Sequence, residues 1–148
     1  MTETEFLLDS NILIYNYDML DPKKHKIAKE LIDKCWKNEK KFVLSAQNIS
    51  ELFSVTTAKK LLTKKEAVVV VSDIVKFQGW IKIRFDHKTV LEAARISEQH
   101  DMHYWDALLA ATMRQAGVFN IYTENVKDFK VPWLNVIDPF AKKSHTSK

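Results

Sequence analysis

Short apolar runs alternate in this sequence with segments whose apolar residues recur every three or four positions. The runs at 6–8, 42–44, 81–85, 120–123 and 134–137 predict β-strands. The periodic segments predict helices at 23–38, 46–62, 64–77, 87–100 and 105–117. Strands that alternate with helices are typical of an α/β fold, in which a parallel sheet is covered by helices on both faces.

Local signals support three of these helix predictions. Valine favours strands, so the valine run at 68–71 is ambiguous by itself. Thr63 and Glu66 have the spacing of a capping box, which favours a helix for this segment. Gly117 is a typical helix stop after the segment at 105–117. In the helix at 87–100, Val90, Ala94 and Ser97 share one side.

The first predicted strand ends at an acid, in "FLLDSNILIY" at 6–15. A carboxylate at the end of a buried strand costs stability unless something compensates it. One interpretation is that Asp9 or Ser10 caps a following helix. The other is that Asp9 belongs to a group of acids around a metal ion.

Other polar residues are predicted at the same edge of the sheet. Glu51 lies among apolar residues of a predicted helix, and Asp106 is near the start of another; Glu124, Asn125 and Asp128 follow the strand at 120–123. Taken singly, each has an ordinary structural interpretation: a surface glutamate, a helix N-terminal acid, polar loop residues. Together they suit a hard divalent cation such as Mg²⁺ or Mn²⁺, which removes the repulsion between convergent carboxylates.

Composition excludes several other classes of protein. The two glycines, Gly79 and Gly117, are too few and too far apart for a dinucleotide fingerprint or a P-loop. The five histidines and the single Cys35 are scattered, which argues against a zinc site and excludes an intrachain disulfide. The formal net charge of +4 is mild, and permits a polyanionic partner without indicating a dedicated DNA-binding surface.

The sequence has no apolar stretch long enough to span a bilayer, and its N-terminus does not resemble a signal peptide. We therefore expect a cytoplasmic protein without a membrane partner. We also expect one domain over 1–140 and a disordered tail over 141–148.

Five segments, in this order, resemble the PIN-domain ribonucleases, most closely the VapC-like toxins of toxin–antitoxin pairs. They are "LLDSNILIY", "LSAQNISELFSV", "YWDALLAATMRQAG", "IYTENVKDF" and "VIDPF". The resemblance implies a three-layer α/β/α fold around a parallel sheet of four or five strands. It further implies that Asp9, Glu51, Asp106 and Asn125 are the catalytic, metal-binding residues.

The fourth position departs from the family pattern, in which many relatives carry Asp where this chain has Asn125. Asp128 is the alternative metal ligand, acting through water. Asn11 matches a polar residue that supports the first acid, and Thr123 is expected to play a similar supporting role.

The resemblance implies metal-dependent hydrolysis of RNA phosphodiester bonds, with Mg²⁺ or Mn²⁺ as cofactor. It also implies an antitoxin that covers the acidic site and a homodimer, with the apolar residues near 49–62 and 67–77 as contact surface. Tyr15, Tyr17 and Trp105 are candidates for base stacking, with core or interface roles as the alternative.

The rival functions are an inactive PIN scaffold that binds protein or RNA, and a phosphatase with Asp9 as nucleophile. Asn11 disfavours the phosphatase, because a second Asp is usual there.

Overall fold

A parallel five-stranded sheet forms the centre of the protein. The structure is a computed structural model and describes residues 5–141. The strands are β1 (Phe6–Leu8), β2 (Phe42–Ser45), β3 (Trp80–Ile83), β4 (Asn120–Tyr122) and β5 (Asn135–Ile137). Their spatial order is β3-β2-β1-β4-β5, and every neighbouring pair is parallel. The predicted α/β class is confirmed, with five strands.

Six α-helices and one short 3₁₀ helix connect the strands. The α-helices are α1 (Ser10–Tyr15), α2 (Pro22–Trp36), α3 (Ala46–Ala58), α4 (Lys64–Lys76), α5 (His87–His100) and α6 (Tyr104–Ala116). The 3₁₀ helix, Val126–Asp128, follows β4. The helix α1 was one of the two interpretations of the segment after β1, and the 3₁₀ helix was not predicted.

Two apolar clusters lie on opposite faces of the sheet. Neighbouring residues of a strand point to opposite faces, so Leu7 packs into one cluster and Leu8 into the other. Leu7 lies with residues of α5 and α6, whereas Leu8 lies with residues of α1, α2, α3 and α4. The protein is thus a three-layer α/β/α structure, as predicted.

The helix ends and packed faces show where local sequence patterns predicted the structure correctly and where they did not. Thr63 and Glu66 form the predicted capping box, so the ambiguous valine segment is helical. The helix α3 ends at Ala58 rather than at residue 62, because Lys60 adopts a left-handed backbone with a φ of 59°. The buried face of α5 contains Ala93 rather than Val90, which is 38% exposed.

Within residues 5–141, no helix combines the length and the apolar character that crossing a lipid bilayer requires. The predicted tail, apart from Ala141, lies outside the described residues. The boundary of the domain at residue 140 therefore stays a prediction.

Candidate metal centre

The carboxyl ends of β1 and β4 place Asp9 beside Thr123. The two strands pair in register, Leu8 opposite Tyr122. The backbone N–H of Asp9 donates to the carbonyl of Tyr122 at 3.0 Å, which continues the pairing by one residue. Ligands of parallel sheets gather at this end of the strands.

The Asp9 side chain is only 8% exposed and accepts several hydrogen bonds. Its Oδ1 accepts from the Ser10 backbone N–H at 2.8 Å, so Asp9 does cap α1. Its Oδ2 accepts from the Thr123 hydroxyl at 2.8 Å and from Asn11 Nδ2 at 3.4 Å. Burial raises the pKa of the Asp9 carboxyl, and the hydrogen bonds from Thr123 and Ser10 oppose that effect. The two interpretations of Asp9 are therefore compatible.

A buried asparagine in α3 approaches the same carboxylate. Asn48 is fully buried, and its Nδ2 lies 3.5 Å from Oδ1 of Asp9. Its Oδ1 accepts from the backbone N–H and the hydroxyl of Ser45, which completes the capping box of α3. Asn48 was not predicted as a site residue, although its spacing from Ser45 is that of a capping box.

Glu51 enters the site from the next turn of α3. The Ser10 hydroxyl donates to Oε1 of Glu51 at 3.0 Å. Burial raises the pKa of Glu51, the Ser10 hydrogen bond lowers it, and the negative charge of Asp9 raises it further. Ser10 therefore joins two predicted acids, since its backbone binds Asp9 and its hydroxyl binds Glu51.

Asp106, in the first turn of α6, is under the influence of three other acids. Its pKa is raised to about 6, first by burial and then by the negative charges of Asp128 and Asp9. Glu51 contributes in the same direction, whereas His103 contributes in the opposite one. The effects of Asp128, Asp9 and Glu51 on the pKa of Asp106 indicate that the four carboxylates share one electrostatic environment.

The fourth position separates into two residues with different surroundings. Asp128, at the end of the 3₁₀ helix, is close enough to raise the pKa of both Asp9 and Asp106. Asn125 is exposed, and its backbone N–H donates to the Thr123 hydroxyl at 3.1 Å. The negative charge of Asp128 thus acts on the other acids, whereas Asn125 is linked to the site by a backbone hydrogen bond to Thr123.

A separate polar network holds the segment that follows β4. Lys24 of α2 forms an ion pair with Glu124 at 2.7 Å, and the Tyr15 hydroxyl donates to Glu124 at 2.9 Å. The Glu124 backbone N–H lies 3.5 Å from Oδ1 of Asn11. This network was not predicted. In it the Glu124 carboxylate binds Lys24 and Tyr15 and does not belong to the group of acids.

None of the ion pairs among the described residues involves these acids. Between residues 5 and 141, the ion pairs are Lys24–Glu124 and Lys29–Asp33. Asp9, Glu51 and Asp106 are buried or half-buried, and negative charges from within the group of acids raise the pKa of each. Such a group has the chemistry of a site for a hard cation.

The geometry limits how many of these groups contact one ion directly. In the described part of the chain, no three His, Cys, Asp or Glu side chains are close enough together to hold a metal ion. Mg²⁺ is often bound by one or two carboxylates and keeps several waters, with further ligands from substrate phosphates. The donor set fits that manner of binding, in which the remaining acids act through water.

Several solved structures share this fold. VapC20, a sarcin-ricin loop cleaving toxin of Mycobacterium tuberculosis, is 18% identical, with a TM-score of 0.68 over 90% of this chain and 98% of that one. FitAcB from Neisseria gonorrhoeae is 22% identical, with a TM-score of 0.61 over 91% and 98%. VapBC2 from Rickettsia felis, bound to a promoter DNA fragment, is 15% identical, with a TM-score of 0.64 over 90% and 98%.

At these identities the likeness shows the fold. No curated protein sequence matches the chain significantly. A family model does match: that of the PIN domain, over residues 6–131. Since that match includes all four acids and most of the sheet, the chain belongs to the PIN domain family.

Proposed function

We propose that the protein is a metal-dependent endoribonuclease and the toxin of a VapBC-type toxin–antitoxin pair. The observation that carries the proposal is the group of four carboxylates, Asp9, Glu51, Asp106 and Asp128, none of which forms an ion pair within residues 5–141. PIN-domain membership and the structural likeness to VapC20, named as a sarcin-ricin loop cleaving toxin, support ribonuclease activity.

The site residues have different proposed roles in binding the metal ion. Asp9 and Glu51 are proposed as direct ligands, because Ser10 holds their carboxylates in fixed orientations. Asp106 and Asp128 supply further negative charge and ligate directly or through water. Asn125, the predicted fourth ligand, stays a proposal supported only by its place in the sequence. Thr123, Asn11 and Asn48 position Asp9 through hydrogen bonds.

A bound Mg²⁺ or Mn²⁺ would bind the scissile phosphate, lower the pKa of a water and stabilise the leaving oxygen. The chain's own hydrogen bonds favour the ionised forms of Asp9 and Glu51, but burial outweighs them and the pKa of each carboxyl is raised. Buried donors from Thr123, Ser10 and Asn48 favour the charged form of Asp9, against the effect of burial. The structure therefore suggests an acidic site that is costly when empty and favourable when loaded.

An antitoxin partner is proposed from the structural neighbours, which include VapBC2 and FitAcB. Of the two predicted contact segments, the one on α4 exposes large apolar side chains: Val68, Val69 and Val75 are each more than half exposed. In 49–62, by contrast, Leu52 is buried and Ile49, Phe53 and Val55 are partly buried. We therefore assign the partner surface to α4. The homodimer stays a prediction.

The test is cleavage of a pool of structured RNAs by the purified protein with Mg²⁺ or Mn²⁺. Wild type should cleave with metal, and EDTA should abolish cleavage. Asp9→Asn and Glu51→Gln should each abolish it while keeping the fold, as judged by circular dichroism. Asp33→Asn is the matched control, since Asp33 is an exposed acid paired with Lys29; it should cleave like wild type.

Two results would contradict the proposal. Cleavage that survives in Asp9→Asn would point to a contaminant or to another site. Absence of cleavage and of metal binding, by calorimetry, would favour the inactive scaffold as the function instead.

A further inference from the structure

Trp105 is the most exposed tryptophan of the chain, at 55%. Trp36 is 37% exposed, Trp80 is 1% exposed, and Trp133 is partly buried. An exposed indole leaves a large apolar surface in water, which is unfavourable. Trp105 belongs to neither apolar cluster of the core.

The structure holds Trp105 in place although it is exposed. Its backbone carbonyl accepts a hydrogen bond of 3.0 Å from Nε2 of Gln47. Gln47 is in the first turn of α3, one residue before Asn48, whose amide approaches Asp9. The centroids of the Trp105 and Tyr104 rings lie 5.1 Å apart with an interplanar angle of 72°, a T-shaped contact, and more than half of Trp105 is still exposed.

Trp105 directly precedes Asp106 in the first turn of α6. Consecutive residues of a helix point in directions about 100° apart, so the Trp105 side chain diverges from that of Asp106. A phosphate bound at the acids would bring its neighbouring nucleosides to this end of α6, where Trp105 is exposed.

We propose that Trp105 stacks on an unpaired base of the RNA beside the scissile phosphate, and so positions single-stranded RNA in the site. This inference rests on the proposed ribonuclease function. The acids repel the RNA backbone except where a metal ion intervenes, so contacts to the uncharged bases add affinity that this repulsion does not weaken. Aromatic side chains supply it, because every base has a stacking face.

The test compares Trp105→Ala and Trp105→Phe with Phe119→Ala. Phe119 is the matched control, because it is 45% exposed and lies beyond the other end of α6, about 20 Å away for a helix of 13 residues. In the cleavage assay, Trp105→Ala should raise KM on the order of 10-fold with little change in kcat. Trp105→Phe should recover most of that loss, and Phe119→Ala should match wild type.

A binding measurement identifies the base as the contact. Fluorescence anisotropy with Mg²⁺ would compare a labelled single-stranded 12-nucleotide oligoadenylate with an abasic oligonucleotide of the same backbone, about the length of one single-strand site. Trp105→Ala should weaken binding of the oligoadenylate on the order of 10-fold and leave the abasic probe unchanged. An equal effect on both probes, or equal behaviour of Trp105→Ala and Phe119→Ala, would overturn the inference.

The outcomes separate this inference from the function that underlies it. If wild type cleaves RNA and the Trp105 variants are normal, the stacking inference fails alone. If the variants bind RNA normally but lose a protein partner, Trp105 is a protein contact and the inference is again wrong. If wild type binds oligoadenylate through Trp105 without cleaving, the stacking stands and the ribonuclease proposal fails. If wild type neither binds nor cleaves RNA, both fail.

Discussion

The hydroxyl of Thr123 donates a 2.8 Å hydrogen bond to Oδ2 of Asp9, although 114 positions separate the two residues. The bond is buried, and Thr123 also accepts from Asn11 Nδ2 at 3.2 Å. It opposes the effect of burial, because it favours the ionised form of Asp9. The adjacent strands β1 and β4 thus join a buried carboxylate to a donor that favours its charged form.

We expect Thr123→Val to destabilise the fold by about 1–3 kcal/mol, because it removes a buried donor and leaves the carboxylate less well satisfied. Thr123→Ser keeps the hydroxyl and should retain most of the stability. Thr112→Val is the control, since the Thr112 hydroxyl donates only to a carbonyl of its own helix, that of Leu108. Urea denaturation measures all three; an equal loss in Thr112→Val and Thr123→Val would contradict this account.

The metal-free protein should lose stability as the pH rises. The Asp106 pKa is about 6 in the folded protein, against about 3.9 in an unfolded chain. The folded state therefore binds the proton more tightly, so this contribution to stability is fully present below about pH 4 and lost as the pH rises through about 6. In EDTA, Asp106→Asn should have a higher Tm than wild type at pH 8, with a smaller difference at pH 4.

Glu66 gives the opposite sign and is the control for that experiment. Its hydrogen bonds to Thr63 lower its pKa, so its contribution is present at neutral pH and lost as the pH falls. Glu66→Gln should therefore cost stability at pH 8 rather than at pH 4.

Added Mn²⁺ should raise the Tm of wild type at pH 8 more than that of Asp106→Asn. An Asp106→Asn effect that does not depend on pH would show that the fold does not raise the pKa of Asp106.

Asp128 and Asn125 should differ in their effect on metal binding. We expect Asp128→Asn to weaken Mn²⁺ binding on the order of 10- to 100-fold, the range seen when groups around metal ligands are changed. Asn125→Ala should change it less, because the contact of Asn125 to Thr123 comes from its backbone. Calorimetric titration with Mn²⁺ measures both variants. The reverse order would assign the fourth position to Asn125, as the sequence resemblance implied.

The Lys24–Glu124 ion pair should matter little for stability. Its side chains are 35% and 23% exposed, and ion pairs near the surface typically contribute about 0.2–1 kcal/mol. A double-mutant cycle with Lys24→Met and Glu124→Gln should give a coupling energy in that range. The more exposed Lys29–Asp33 pair is the comparison and should couple no more strongly. A coupling of several kcal/mol would show that the pair holds the segment after β4 in place.

Local sequence determined the order and the kind of most elements. Apolar runs, helical spacing and the Thr63–Glu66 capping box act over a few residues, so each can be identified without knowing what packs against it. Asp9, Glu51, Asp106 and the polar segment after β4 were predicted as site residues for the same reason: each directly follows a strand or lies near a helix start.

Tertiary structure decided what those local signals could not. Ser10 binds Glu51 across 41 positions and Asn48 approaches Asp9 across 39, contacts that exist only once α1 and α3 pack on the same face of the sheet. The contacts of the segment after β4 also depend on the assembled fold: Asp128 raises the pKa of Asp9 and Asp106, whereas Asn125 binds Thr123 through its backbone. The exposure of Trp105 likewise belongs to the assembled fold, in which its carbonyl binds Gln47 of α3.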